Sequence, residues 1–381
     1  MHGPRVLFVS QTGVMSGAEY VLASLTEGWA GASAFLLEGG PLEDVLRKNG
    51  LSVEVAPAGA QLGAIRRDQS LLKALPLVLR LQRLVLAIIR AARRHDIVYA
   101  NSQKAFLLSA LASHFFRRPL VWHLHDIMDE RHFGRKQRLI QIALANRRAA
   151  SVIVPSKAAA DAFVAAGGRR DLVRVVPNGI ALAPPPALSR EALGLPPGPL
   201  VGVFSRLAPW KGQHVVIEAL KACPGIRCIL VGSALFGEDA YRDRLLAMVA
   251  EQGLSERVTF LGQRSDVPTL MQAVDAVIHP SVDPEPFGLT LVEAMLAGTP
   301  VIATDAGASA EILAGGQAGT LVPPGDAAAL AGALRGFFDD PAPSRQKAAL
   351  ARERVGAVYG IARMRETVLG LVAAVQAGRR P

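Results

Sequence analysis

The chain has 381 residues, 50% of them hydrophobic and 19% charged. That length is more than one ordinary core accommodates and suits two domains, and the apolar content excludes a largely disordered chain. The net charge of +10 is unevenly placed: residues 1–180 carry 24 Lys and Arg against 13 Asp and Glu, residues 181–381 carry 18 against 19. The first half therefore holds all the excess, a net of +11, which suits an anionic lipid, nucleic acid or a phosphorylated substrate. Two cysteines, Cys223 and Cys228, exclude a disulfide framework; with no metal-type Cys/His spacing, a reducing compartment is expected.

The first apolar run, Val6-Leu7-Phe8-Val9-Ser10, is too short for a signal peptide and reads as a strand. No run of about 18 apolar residues follows that would span a membrane. In chain order, strands are predicted over residues 5–10, 33–37, 52–56, 97–100, 120–124, 151–155 and 173–176. Helical spacing of apolar residues lies between them, as over 18–29 and 137–147. Such repeated βα units predict a parallel sheet covered on both faces.

Within this half, residues 71–95 are basic and amphipathic. Pro76 is read as ending a turn; after it Leu77, Leu81, Leu84, Ile88 and Ala91 form a helical stripe. Arg80, Arg83, Arg90, Arg93 and Arg94 lie largely off that stripe. Two readings stand: a core-packing helix with a solvated basic face, or a helix resting on anionic lipid. Arg66-Arg67, Arg117-Arg118 and Arg135-Lys136-Arg138 enlarge the same basic half. Nucleic-acid binding is disfavoured, because aromatic platforms and recognition motifs are missing. In the run VWHLHD (residues 121–126), His123 and His125 share one strand face. His125 stands at the C-terminal end, where such sheets bind ligands, and a backbone-satisfied core histidine is the alternative. Asp126 reads as an N-cap or a histidine partner.

Residues 181–199 are rich in proline, which fixes φ and lacks a donor, and read as an interdomain linker. A second βα series follows, with strands over 200–204, 227–231, 258–261, 276–279, 301–303 and 319–322. The expected fold is α/β: two Rossmann-like doubly wound domains, 1–180 and 200–345, facing a cleft. A tail helix in 346–381 would return across both.

Two stretches of the second half carry chemistry. In residues 201–220, Arg206 and Lys211 lie on the loop after a domain's first strand, where a guanidinium can grip phosphate bidentately and an ammonium act as a point charge. In residues 279–307, Gly288 opens a helix, so the amides of Gly288, Leu289 and Thr290 offer a site for a diphosphate. Glu285 precedes that helix and Glu293 lies within it, flanked by apolar Val292, Ala294 and Met295, which argues against a solvated face.

Together these motifs resemble glycosyltransferase family 4, retaining enzymes of the two-domain GT-B fold. The resemblance rests on Glu285-Pro-Phe-Gly-Leu-Thr-Leu-Val-Glu293, on Arg206-Leu207 with Lys211-Gly212, and on Val175-Val176-Pro177-Asn178-Gly179-Ile180. Phe260-Leu261-Gly262 and Asp266-Val267-Pro268 extend it, and in the first half it is thinner, with Ser16-Gly17-Ala18-Glu19 and His125. It implies that Arg206 and Lys211 neutralise the leaving diphosphate, that Glu293 holds the ribose, and that Glu285 contacts the donor sugar. Phe287, Gly288, Leu289 and Thr290 would complete the donor site, Gly17 would let the first loop approach the substrates, and His125 would lie by the transferred sugar. Arg206, Lys211, Glu285 and His125 are thus the candidate catalytic residues. Glycosyl transfer builds negative charge on the departing diphosphate, so preorganised cations and amides there are worth several kcal/mol.

The expected cosubstrate is a nucleotide-diphosphate sugar, with no other cofactor and no metal, although Asp283-Pro-Glu285 faintly resembles a metal-binding acid pair. The loop opening Pro284-Glu285-Pro286-Phe287-Gly288 looks like that of bacterial exopolysaccharide mannosyltransferases. It favours GDP-mannose, with UDP-glucose or UDP-galactose as alternatives. A lipid-linked or polysaccharide acceptor and a peripheral place on the inner face of the cytoplasmic membrane are expected from the basic half. A phosphorylase or epimerase of the same fold, and a non-catalytic nucleotide-sugar-binding scaffold, are the competing functions. An NAD oxidoreductase is disfavoured because Gln11-Thr-Gly-Val-Met-Ser-Gly17 lacks the compact G-x-G-x-x-G spacing.

Overall fold

The computed structural model describes residues 4–56, 71–183, 186–235 and 237–379. They form two compact units, Met1–Gly179 with Ile361–Pro381, and Ile180–Gly360.

In the first unit, β1 (Val6–Ser10), β2 (Ser33–Leu36), β3 (Ser52–Val55), β4 (Ile97–Ala100), β5 (Leu120–His123), β6 (Ala149–Val154) and β7 (Val173–Val175) make one parallel sheet of order β3-β2-β1-β4-β5-β6-β7. Helices α1 (Gly17–Thr26), α2 (Pro41–Lys48), α3 (Leu71–Ala92), α4 (Gln103–Ala112), α5 (Arg135–Arg148) and α6 (Lys157–Ala165) cover it. Every residue of β1 and β4 is buried, as strands covered on both faces require, which is why they read as unbroken apolar runs. Trp122 of β5, the largest fully buried side chain among the described residues, stacks on Phe106 of α4 at 4.1 Å and 7°.

The second unit repeats the plan. Strands β8 (Leu200–Phe204), β9 (Arg227–Val231), β10 (Val258–Gly262), β11 (Ala276–His279), β12 (Val301–Thr304) and β13 (Thr320–Val322) run parallel in the order β10-β9-β8-β11-β12-β13. Its helices are α7 (Gln213–Leu220), α8 (Asp239–Glu251), α9 (Val267–Ala273), α10 (Leu289–Ala297), α11 (Ser309–Ile312), α12 (Ala327–Asp339) and α13 (Ala342–Val358). In each sheet the strand order reverses once, between β1 and β4 and between β8 and β11. The crevice outside the carboxyl ends of those strands is where open α/β sheets take ligands.

Three expectations are corrected. The described residues of 181–199 do not stand apart as a linker. Ile180 donates to the Tyr359 carbonyl at 2.8 Å, Arg190 grips Asp275 and the Ala273 carbonyl at 2.7 and 2.6 Å, and Leu195 is buried in the second unit's core. The tail is two helices, not one. It breaks at Tyr359 and Gly360, where Gly360 bridges to Ile180, and α14 (Ile361–Gln376) joins the first unit. There Met364, Val368, Val372 and Val375 form its buried stripe, and Arg365 donates to the Ser24 carbonyl of α1 at 2.6 Å.

The third correction concerns the basic helix. Helix α3 begins at Leu71, so Pro76 lies inside it rather than ending a turn before it. Leu84, Ile88 and Ala91 are buried in the core and Leu81 packs against it, so the apolar stripe faces the protein. Arg80, Arg83 and Arg90 are exposed, beside exposed Leu79 and Leu86. Arg66, Arg67 and the Leu77 side chain lie outside the described residues. No helix among the described residues is long and apolar enough to cross a membrane.

Candidate functional site

In the second unit the β8 and β11 loops are locked together. After β8, a short 3-10 turn over Pro209–Lys211 ends in Gly212 at φ +75°. A Cβ on Gly212 would lie 1.9 Å from the Pro280 carbonyl oxygen, so glycine alone permits this approach. Val282 donates to the Trp210 carbonyl at 2.9 Å across the same seam. Lys211 is thereby carried to Glu285, and its Nζ donates to Glu285 Oε1. The Glu285 backbone is pinned on its other side by a bridge to Gly307 and by Ala308, which donates to its carbonyl at 3.0 Å.

Glu285 is 3% exposed. Besides Lys211, its Oε1 takes a hydrogen bond from Ser281 Oγ at 2.5 Å and stands 3.1 Å from His279 Nε2. All these contacts fall on Oε1, leaving Oε2, on the Gly288 side, without a partner among the described residues. Burial pushes the Glu285 carboxyl up, but neighbouring His279 and Lys211 outweigh burial and hold it well below the usual carboxylate range. It is a buried, ionised carboxylate with one oxygen to offer. His279 reaches further: its Nδ1 is 3.3 Å from Thr290 Oγ1, which ties Glu285 to the start of α10.

Gly288, at φ +101°, caps α10. Leu291 donates back to the Gly288 carbonyl at 3.0 Å, whereas the amides of Gly288, Leu289 and Thr290 donate to no described residue. These donors with the positive helix end favour an anion. Glu293 stands further along α10, where burial raises its carboxyl to about 7, and it has no hydrogen bond or ion pair among the described residues. Phe287 differs from expectation. Its ring is 3% exposed and packs edge-on against Tyr359 at 5.8 Å, so its side chain serves the core.

Arg206 leaves the end of β8 towards Glu238, 3.4 Å from its Nε, and lies 5.8 Å from the Trp210 ring centroid. Lys211 Nζ lies over the same ring at 4.2 Å. Gln213, fully buried at the start of α7, donates to Ser205 Oγ at 2.8 Å and to the Arg206 carbonyl at 2.9 Å, which fixes the loop. Arg206 and Lys211 thus share one indole.

The first unit gathers its groups at the β1 and β4 ends. His125 lies two residues beyond β5, half-buried, and its ring is 3.9 Å from that of His123, as strand alternation requires. His123 Nδ1 pairs with buried Tyr99 OH at 2.8 Å, and its Nε2 is buried without a partner among the described residues. Burial pushes His125 down to about 3, and burial with the neighbouring His125 holds His123 well below the ordinary histidine range, so both rings are neutral. His125 Nε2 is 3.0 Å from Asn101 Oδ1. Asp126 caps no helix and does not bond to His125; it accepts from Gln103 Nε2 at 3.1 Å, and burial raises its carboxyl against the opposing pull of Gln103 and neighbouring His132. Gly17 is the exposed first residue of α1. In the same loop Gly13 makes a tight backbone approach, where a Cβ would lie 2.4 Å from Gly40 N.

Sequence reasoning missed His279, Ser281, Trp210, Gln213 and Asn101. His279, Ser281 and Asn101 sit at or just beyond a strand end at a switch point, and Trp210 and Gln213 lie on the loop and helix start that follow β8; that position was the available signal.

Residues 16–179 match the family described as glycosyl transferase 4-like domain, and residues 188–354 match glycosyl transferases group 1. Over 296 residues the chain is 30% identical to the lipopolysaccharide core biosynthesis mannosyltransferase LpcC of Rhizobium leguminosarum bv. viciae, covering 71% of this chain and 79% of that protein. It is 34% identical to mannosyltransferase LpsB of Rhizobium meliloti, over 47% of this chain and 56% of that protein. The crystal structure of Anabaena Alr3699/HepE in complex with UDP and glucose is similar at a TM-score of 0.86 and 36% identity, over 97% of this chain and 100% of that one. The chain belongs to the group 1 glycosyltransferases that carry a 4-like domain, and its two parallel-sheet α/β domains have the GT-B fold.

Proposed function

We propose that the protein moves a hexosyl group, with retention of anomeric configuration, from a nucleoside-diphosphate sugar to a saccharide acceptor. The observation that carries this reading is the second unit's cluster: buried, ionised Glu285 held by Lys211 beside three amides at the start of α10 that donate to no described residue. Lys211, Arg206 and those amides are assigned the diphosphate, whose negative charge grows as the glycosidic bond to it breaks. Glu285 Oε2 is assigned to the sugar's hydroxyls and Glu293 to the ribose. His125 is assigned to the transferred sugar from the first unit.

UDP-glucose is the donor we favour, because the likeness to Alr3699/HepE spans nearly the whole chain and that protein was crystallised with UDP and glucose. GDP-mannose is the second reading, supported by the mannosyltransferase relatives. A lipid-linked acceptor is proposed from the exposed arginines of α3 and the +11 excess of the first 180 residues. The test is nucleotide release from UDP-glucose, UDP-galactose and GDP-mannose with and without EDTA, and proton NMR of the product anomer. Release from none of the three, or an inverted product, would overturn the proposal.

A further inference from the structure

Asn101 follows β4 directly at the first unit's switch point and is fully buried. Its backbone donates to the Val9 carbonyl of β1 at 2.8 Å, and the next residue, Ser102, caps α4. The position is therefore held from two elements. Its side chain makes two contacts, with the Ala18 carbonyl at 3.2 Å and with His125 Nε2 at 3.0 Å.

These two contacts determine each other. A backbone carbonyl can only accept, so the amide nitrogen of Asn101 must face Ala18 and its oxygen must face His125. An amide oxygen also only accepts, so the ring nitrogen opposite it must carry a proton. The reversed amide would set oxygen against oxygen at Ala18. We infer that Asn101 is a positioning residue that fixes His125 as the Nε2–H tautomer, leaving Nδ1 as an acceptor for a substrate hydroxyl. His125 is neutral, so one ring nitrogen must be bare, and Nδ1 takes no hydrogen bond from any described residue. His123 cannot substitute, because its Nδ1 is already paired with Tyr99. The same amide ties His125 to the start of α1 beside Gly17, so the tautomer and the loop are set by one side chain.

The substrate role rests on the transferase reading; the tautomer does not. The test is the two-bond proton–nitrogen spectrum of the 15N-histidine-labelled full chain, with the His125 signals identified by their loss in His125→Gln. The wild type should show the Nε2–H pattern. Asn101→Leu should give a mixture of tautomers or the Nδ1–H form, whereas Asn101→Asp, which keeps an oxygen at that place, should retain the Nε2 proton. In the transfer assay Asn101→Leu should lower kcat/KM roughly tenfold, the worth of one hydrogen bond to substrate, with UDP affinity unchanged. An Nδ1–H pattern in the wild type, or an unaltered pattern in Asn101→Leu, would overturn the inference without any variant needing activity. The expected spectra together with no transfer from any nucleotide sugar would sustain the tautomer assignment and sink the transferase reading.

Discussion

At the β8 and β11 ends the polar cluster is built on a charged pair, Lys211 and Glu285; at the β1 and β4 ends the paired side chains are neutral. Lys211, Glu285 and His279 meet in the second unit, and His123, His125, Tyr99 and Asn101 meet in the first. The sheets that present them are alike, each parallel and each reversing its strand order once. Topology therefore supplies the location of a site, and burial with its neighbours decides the chemistry. A buried carboxylate that keeps its charge needs a cation beside it, as Glu285 has in Lys211. Buried imidazoles without a carboxylate partner stay neutral and recognise hydroxyls instead.

The sharpest way to break this contrast is to uncharge the second unit. Lys211→Ala should cut turnover by on the order of 100-fold or more, since one charge-stabilising contact in such a site is worth roughly 2.7–4 kcal/mol. It also leaves Glu285 buried without its ammonium, so the variant should melt earlier, and adding Glu285→Gln should restore part of that loss without restoring activity. Turnover near the wild-type value would remove Lys211 from the mechanism.

Glu293 sharpens the comparison through pH. Its folded value of about 7 lies above the ordinary 4.5, so the folded state holds the proton more tightly and stability falls as pH rises from 4.5 towards 7. Glu293→Gln should abolish that slope and stabilise the protein at pH 8 by up to roughly 3 kcal/mol. Donor affinity should move oppositely, rising through about pH 7 as the carboxylate gains acceptor capacity for the ribose hydroxyls, and that step should vanish in the variant. Denaturant melts at pH 5 and pH 8 that differ equally in both proteins would contradict the assignment.

Gly212→Ala tests whether the two loops must touch. Its Cβ would meet the Pro280 carbonyl at 1.9 Å from a left-handed backbone, so a loss of about 1–3 kcal/mol is expected, with weakened nucleotide binding. The smallest effect on the nucleotide site itself belongs to the first unit's surface. Reversing Arg80, Arg83 and Arg90 to Glu should weaken sedimentation with anionic liposomes by about 1 kcal/mol per residue at low salt, and leave nucleotide affinity unchanged. A wild type that ignores anionic liposomes would make a soluble acceptor the better reading.

Much of the architecture was legible because buried parallel strands are short unbroken apolar runs: Leu200–Phe204 and Ala276–His279 are found as read. Lys211 and Glu285 were legible as chemistry but not as a pair, since their sequence separation of 74 is closed by topology that no local pattern records. The direction of the Phe287 ring was not legible, because a motif position does not tell which way a ring turns, and Tyr359 offers it an edge contact in the core. The arginines of α3 left two readings open, and burial of Leu84 and Ile88 gives the stripe to the core. Asn101 went unnoticed because its meaning depends on β4 lying next to β1, with Ala18 and His125 brought to it from either side.

The central claim is that the charged cluster of the second unit is a nucleoside-diphosphate site. Calorimetric titration with UDP and UMP, on the wild type and Lys211→Ala, addresses it most directly. UDP should bind the wild type at least about tenfold more tightly than UMP, as expected for a charge-assisted contact to the second phosphate. That advantage should shrink in Lys211→Ala while UMP affinity holds. Equal affinities for UDP and UMP in the wild type, or an undiminished preference for UDP in the variant, would contradict it.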